Sequence, residues 1–120
     1  MNEQTSRTLR MVLLVFGAFW TVYGLLHVIS PELMLAKDPP VERVLGASVV
    51  ALAVGGWLAY RERVWARARL LVLVLILWMI LYTASMTWGL LAGGIPAAAW
   101  PPTILGAAFA VLLGVLYSRE

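Results

Sequence analysis

Between Arg69 and Arg119 the chain carries no charged side chain at all, and residues 11–30 and 44–60 are equally free of Asp, Glu, Lys and Arg. This pattern fixes the solvent. A helix of about 20 apolar residues crosses a hydrocarbon core about 30 Å thick, and each charge-free stretch approaches or exceeds that length. With 62% hydrophobic and 12% charged residues, and a mean hydropathy of +0.90, the chain has too few charges to coat a water-facing surface, which takes roughly a quarter of residues. It is built for lipid.

Four spans follow, at about 11–30, 40–60, 70–89 and 103–118, and together they predict an all-α, four-transmembrane-helix bundle in a single integral membrane domain over residues 1–120. The second span gains its first turn from Pro40, because Asp38 can cap free N–H groups and proline fits a helix start. Pro101 and Pro102 open the fourth, and Arg119 and Glu120 stop it. A closed barrel is the other way to satisfy backbone groups in lipid, but nothing alternates with a period of two. The first span follows Arg7 and Arg10 as a signal peptide would, yet no small-x-small cleavage site follows it, so it reads as uncleaved.

Orientation follows from the basic residues. With both termini on one side, that side holds Arg7, Arg10, Arg61, Arg63, Arg67, Arg69 and Arg119, and the other holds only Lys37 and Arg43. Seven against two predicts N-in and C-in, in a cytoplasmic (bacterial inner) membrane, by the positive-inside rule. The block RERVWARAR at 61–69 then reads as a cytoplasmic loop against the headgroups, where it serves topology and attraction to anionic lipid. No soluble domain exists to present a groove to nucleic acid. The pI of 9.8 adds nothing further.

Placed by depth, the polar side chains gather in the outer half: Thr21, Tyr23, His27 and Ser30, then Arg43 and Ser48, then Tyr82, Thr83, Ser85 and Thr87, then Thr103. Trp20, Tyr23, His27 and Ser30 fall at steps of three, four and three, a single helical stripe. Trp78, Tyr82, Ser85 and Gly89 keep a similar rhythm. If the two stripes face each other, they line an outer cavity in which His27 would be base or ligand, Arg43 an anion contact, and Tyr23, Tyr82 and Ser85 polar neighbours. The plainer alternative is an interfacial or packing role, since His27, the only histidine, lies roughly 5 Å inside the span end at about 1.5 Å per residue. Trp57, Tyr60, Trp65, Trp88, Trp100 and Tyr117 sit near helix ends, as an interfacial belt requires.

Small residues suggest where helices touch. Ala47, Ala51 and Gly55 recur every fourth position on the second span, and Gly106, Ala110 and Gly114 on the fourth. Such strips let backbones approach and gain dispersion contacts, either with each other or with a partner chain or second copy. Gly17, Thr21 and Gly24 form a looser version on the first span. The outer connection 92–102 is uncharged, holds Trp100 and three prolines, and suits the interface, where it could cap the cavity. The first outer connection mixes Glu32, Lys37, Asp38, Glu42 and Arg43; an ion pair of Arg43 with Glu32 or Glu42 would add little stability there.

Several chemistries are excluded. With no cysteine there is no thiol exchange, iron-sulfur cluster or cysteine-zinc site. One histidine cannot supply a bis-histidine haem or a His-rich metal site, so neither metal nor cofactor is expected. No acidic residue lies in the middle of any span, against a small multidrug-type proton exchanger, and neither a phosphate loop nor a nucleophile elbow is present.

GAFWTVYGLLHVISPE at 17–32, an outer loop, and ERVLGASVVALAVGGWLAYR at 42–61 together resemble the DoxX-like group of small four-helix bacterial membrane proteins. There a Gly-rich first helix ends near a proline and an Arg-x-x-Gly-Ala-like start opens the second. The resemblance covers about half the chain and implies the four-helix fold, but no activity and no catalytic residue. Two functional classes remain in contention: a non-enzymatic accessory, assembly or structural subunit of a membrane complex, and a binder or modifier of a lipophilic small molecule around His27.

Overall fold

The computed structural model describes residues 4–30 and 39–120, and of residues 39–42 the backbone alone. Four helices account for nearly all of it: α1 Arg7–Ile29, α2 Pro39–Arg61, α3 Trp65–Leu91 and α4 Trp100–Arg119, with a 3-10 turn Ala97–Ala99 before the last. All four are long and apolar enough to cross a membrane. The fold is all-α.

Local chemistry sets the ends. The Ser6 hydroxyl accepts the Leu9 N–H at 3.2 Å, an N-cap that starts α1 at Arg7, ahead of the expected residue 11. Arginines on the first turn do not delay the helix, because their long stems carry the charge away from its axis. The same reason moves α3 forward. Only residues 62–64 connect α2 to α3, so Arg67 and Arg69 project from a helix where the sequence suggested a loop. At the far end of α3, Gly93 takes φ +78°, a left-handed turn that suits glycine. The N–H groups of Gly94 and Ile95 then return to the Gly89 carbonyl at 3.0 and 3.3 Å. Pro101 and Pro102 occupy the first turn of α4, where no N–H is missed. The capping role of Asp38 and the ion pair of Glu32 or Glu42 with Arg43 fall outside the described residues and side chains.

The helices pack in chain order, each against the next, and α4 closes on α1. Two unlike seams hold them. Between α1 and α2 the backbones nearly touch: a Cβ on Gly24 would stand 3.0 Å from the Gly46 carbonyl oxygen, and one on Gly46 2.7 Å from that of Gly24. Gly56 meets the Phe16 ring, Gly17 meets Trp57, and the Trp57 indole N–H donates to the Thr21 hydroxyl at 3.1 Å. Between α1 and α4 the approach is looser, and rings span it: Phe109 lies 5.2 Å from Phe16 and 6.3 Å from Trp20. Close backbones and rings packed edge-on or tilted are alternative ways to gain dispersion contact where lipid removes the hydrophobic drive.

Only 33%, 33%, 28% and 28% of the four spans is buried inside the bundle. The remainder faces outward and is apolar, with Val15, Val22 and Ile29 on α1, Leu58 on α2, Leu77 and Leu81 on α3, and Ile104 and Val111 on α4 all exposed. A skin of this kind fits hydrocarbon and not water. The chain is a multi-pass membrane protein.

One end of the bundle is tied together. The Thr5 N–H donates to the Arg63 carbonyl at 2.8 Å, beside an antiparallel bridge between Gln4 and Val64. The Ser6 N–H donates to Glu120 Oε1 at 3.0 Å. Both chain ends and the 62–64 connection thus share a side, as an even number of spans requires.

Candidate functional site

From mid-bundle toward the opposite end, the stripe of α1 touches that of α3 through Trp20 and Tyr82. Trp20 is fully buried, and its ring stands 5.4 Å edge-on to Tyr82 and 5.4 Å edge-on to Tyr23. Tyr82 stacks on Trp78 at 5.1 Å, and Tyr23 tilts against His27 at 4.3 Å. Five rings therefore run in contact from Trp78 through Tyr82, Trp20 and Tyr23 to His27. Between the two stripes the contact is Trp20 with Tyr82, ring against ring.

His27 is 3% exposed. It is buried between α1 and α2 because Gly46 has no side chain: a Cβ there would come 2.7 Å from the His27 Cβ. Its Nδ1 lies 2.8 Å from the Tyr23 carbonyl oxygen one turn earlier, and since a carbonyl only accepts, Nδ1 carries the proton. The imidazole is thereby oriented by its own helix.

The other expected members divide. Arg43 is exposed and its Nε donates to the Val28 carbonyl at 3.3 Å, which satisfies a C-terminal carbonyl of α1 that the helix leaves open. Val28 is the residue after His27, so Arg43 reaches the neighbouring backbone. Tyr82 is buried, whereas Ser85 is exposed on the outside of α3 and joins none of these contacts. Thr103, buried at the start of α4, donates to the Ala99 carbonyl at 2.8 Å. The Trp20 Nε1 and the Thr83 Oγ1 are buried with no hydrogen-bond partner among the described residues.

An open apolar groove of about 340 Å³ runs along α1 beside this cluster, lined by Ala18, Phe19, Val22, Tyr23 and Leu26. Neither His27 nor Arg43 lines it. Its one polar side chain is Tyr23, stacked on Phe19 at 5.8 Å. The 3-10 turn Ala97–Ala99 packs on α3 and α4 alone, away from α1 and from this groove. No group of His, Asp and Glu among the described residues could hold a metal ion.

The small-residue strips also divide. Ala47 and Ala51 are exposed on α2, and the face that packs on α1 carries Gly46, Ala53 and Gly56 instead. Gly55 faces Leu75 of α3, at 3.4 Å from its would-be Cβ. Gly106 does lie in an interface, where an added Cβ would stand 3.1 Å from the Tyr82 ring and 3.2 Å from the Thr83 hydroxyl, and Ala110 packs on the core. Gly114 meets nothing within 4 Å. The two strips do not pair with each other. Sequence reasoning passed over Gly46, though its signal was present in the Gly-rich face it opposes, Gly17, Thr21 and Gly24.

The chain matches no family model, no curated protein and no solved structure in comparisons with each.

Proposed function

We propose that the chain is a non-enzymatic accessory or assembly subunit of a membrane complex, lying in a bacterial inner membrane with both termini cytoplasmic. The observation that carries this is the division of faces on α2. Its Gly46, Ala53 and Gly56 side is consumed by α1, while Ala47 and Ala51 leave a second small-residue side open, a surface on which another membrane helix can pack closely. The chemistry-bearing stripe, by contrast, is taken up by ring packing and by backbone hydrogen bonds. The DoxX-like resemblance of residues 17–61 agrees with a small four-helix subunit.

Mild-detergent purification of the tagged chain from its native membranes tests this. A protein partner or a second copy should travel with the wild-type chain, and Ala47→Leu with Ala51→Leu should release it while leaving the thermal midpoint unchanged. Retention of the partner by the double variant, or purification as a lone monomer, contradicts the proposal.

One observation favours a second reading, a binder of a lipophilic molecule: the apolar groove that reaches Tyr23, a ring in contact with His27. In that case the travelling species is a small molecule, and changes at His27 and Arg43 release it.

A further inference from the structure

The tied end of the bundle gathers arginines from three separate parts of the chain. Arg7 comes from the start of α1, Arg61 from the end of α2, Arg63 from the α2–α3 connection, Arg67 and Arg69 from the first turns of α3, and Arg119 from the end of α4; all six are exposed. Hydrogen bonds hold these segments together, backbone to backbone from Thr5 to Arg63 and from the Ser6 N–H to the Glu120 side-chain carboxylate. A seventh arginine, Arg10, is committed to the interior, its Nε donating to the Tyr60 carbonyl at 3.2 Å and its guanidinium 5.0 Å above the Tyr60 ring.

The described carboxylates at this end are Glu62 and Glu120, and both are turned to backbone. Glu62 Oε1 accepts the Val64 N–H at 3.2 Å and Glu120 Oε1 accepts the Ser6 N–H at 3.0 Å. Among the described residues none of the six exposed arginines forms an ion pair. These two acids fasten the rim, and against six exposed guanidinium groups they leave it with an excess of positive charge among the described residues. Beneath it Trp65 and Tyr117 meet edge to face at 5.3 Å, aromatic rings of the kind that settle at headgroup depth.

We infer that this rim is a built site for the phosphate groups of anionic phospholipids in the surrounding bilayer. Guanidinium forks match phosphate oxygens in pairs, and six of them held on fastened segments beside apolar helix faces can engage a headgroup whose acyl chains lie along the bundle. The site is independent of any protein partner and of which side of the membrane it faces.

Native mass spectrometry of the full chain released from nanodiscs of phosphatidylcholine mixed with phosphatidylglycerol tests the inference through the ratio of the two lipids retained. Each guanidinium at an anionic surface contributes about fivefold, so Arg63→Gln, Arg67→Gln and Arg69→Gln combined should lower the preference for phosphatidylglycerol by roughly 100-fold. Their thermal midpoint in phosphatidylcholine alone should stay unchanged, since the three side chains are exposed. Should that variant fold poorly, Arg7→Gln with Arg119→Gln, on the other two segments, should lower the ratio roughly 25-fold. Rising salt should erode the wild-type preference. An unaltered ratio in the variants, or a preference indifferent to salt, overturns the inference. So does loss of an acidic soluble protein from the triple variant with lipid ratios unchanged, which would make the rim a protein-docking surface.

Discussion

Two described neighbours shape the environment of His27: Gly46, which leaves room for it, and the Tyr23 carbonyl, which accepts the hydrogen bond of its Nδ1–H. A glutamine can reach a carbonyl from the same position but fills the pocket less well. His27→Gln should therefore cost about 1–2 kcal/mol of stability and leave every co-purifying species in place. Arg43→Gln loses one exposed bond to the Val28 carbonyl and should cost less than about 1 kcal/mol. Denaturation in detergent and analysis of bound material check both. Release of the same small molecule from both variants would favour the ligand-binding reading. At this scale the sequence was legible where a helix has a distinct polar stripe, as α1 has in Trp20, Tyr23 and His27. Ser85 was misplaced because α3 is apolar on nearly every side: three residues turn about 300°, and nothing in the composition there tells the lipid side from the core.

Among the elements, glycine placement separates contact from mere spacing. A Cβ on Gly46 would strike backbone of α1, where no rotamer change gives relief, so Gly46→Ala should destabilise by about 1–3 kcal/mol. Gly114 faces open space, and Gly114→Ala should be neutral or raise stability by up to about 1 kcal/mol through helix propensity. Leu113, fully buried beside it, should cost about 2–5 kcal/mol as Leu113→Ala. This is the reverse of the order that the Gly106, Ala110, Gly114 strip suggests. Thermal midpoints of the three variants in one detergent settle the order. A row of every fourth residue drifts about 40° per step around a helix, so Ala47, Ala51 and Gly55 cannot all stay on one contact line. Gly46, Val49, Ala53 and Gly56 advance by three, four and three and do stay. Both rows are rich in small residues, and only the position of α1 chooses between them. The existence of all four helices was plain from the charge-free stretches, whereas their first turns were not, because capping by Ser6 and outward-reaching arginines extend helices past the last apolar residue.

For the whole molecule, the charge distribution and the packing describe one object. An apolar skin surrounds four antiparallel helices, one end is fastened by hydrogen bonds from the N-terminal segment to the Arg63 carbonyl and to the Glu120 carboxylate, and that end carries the arginines. The sequence could foresee this gathering by counting, since an even number of spans returns the chain to its starting side. It could not foresee that Glu62 and Glu120 would turn to backbone N–H groups and so form no ion pair with an arginine among the described residues. The absence of native cysteine makes the arrangement directly readable. Single cysteines placed at the exposed positions Arg63, Ala98 and Ser118, probed in intact cells with a membrane-impermeant maleimide, should give labelling at Ala98→Cys alone, with Arg63→Cys and Ser118→Cys labelled only after the cells are opened. Labelling of Arg63→Cys or Ser118→Cys in intact cells, or equal labelling at all three, would contradict a four-span bundle with its fastened, arginine-rich end inside.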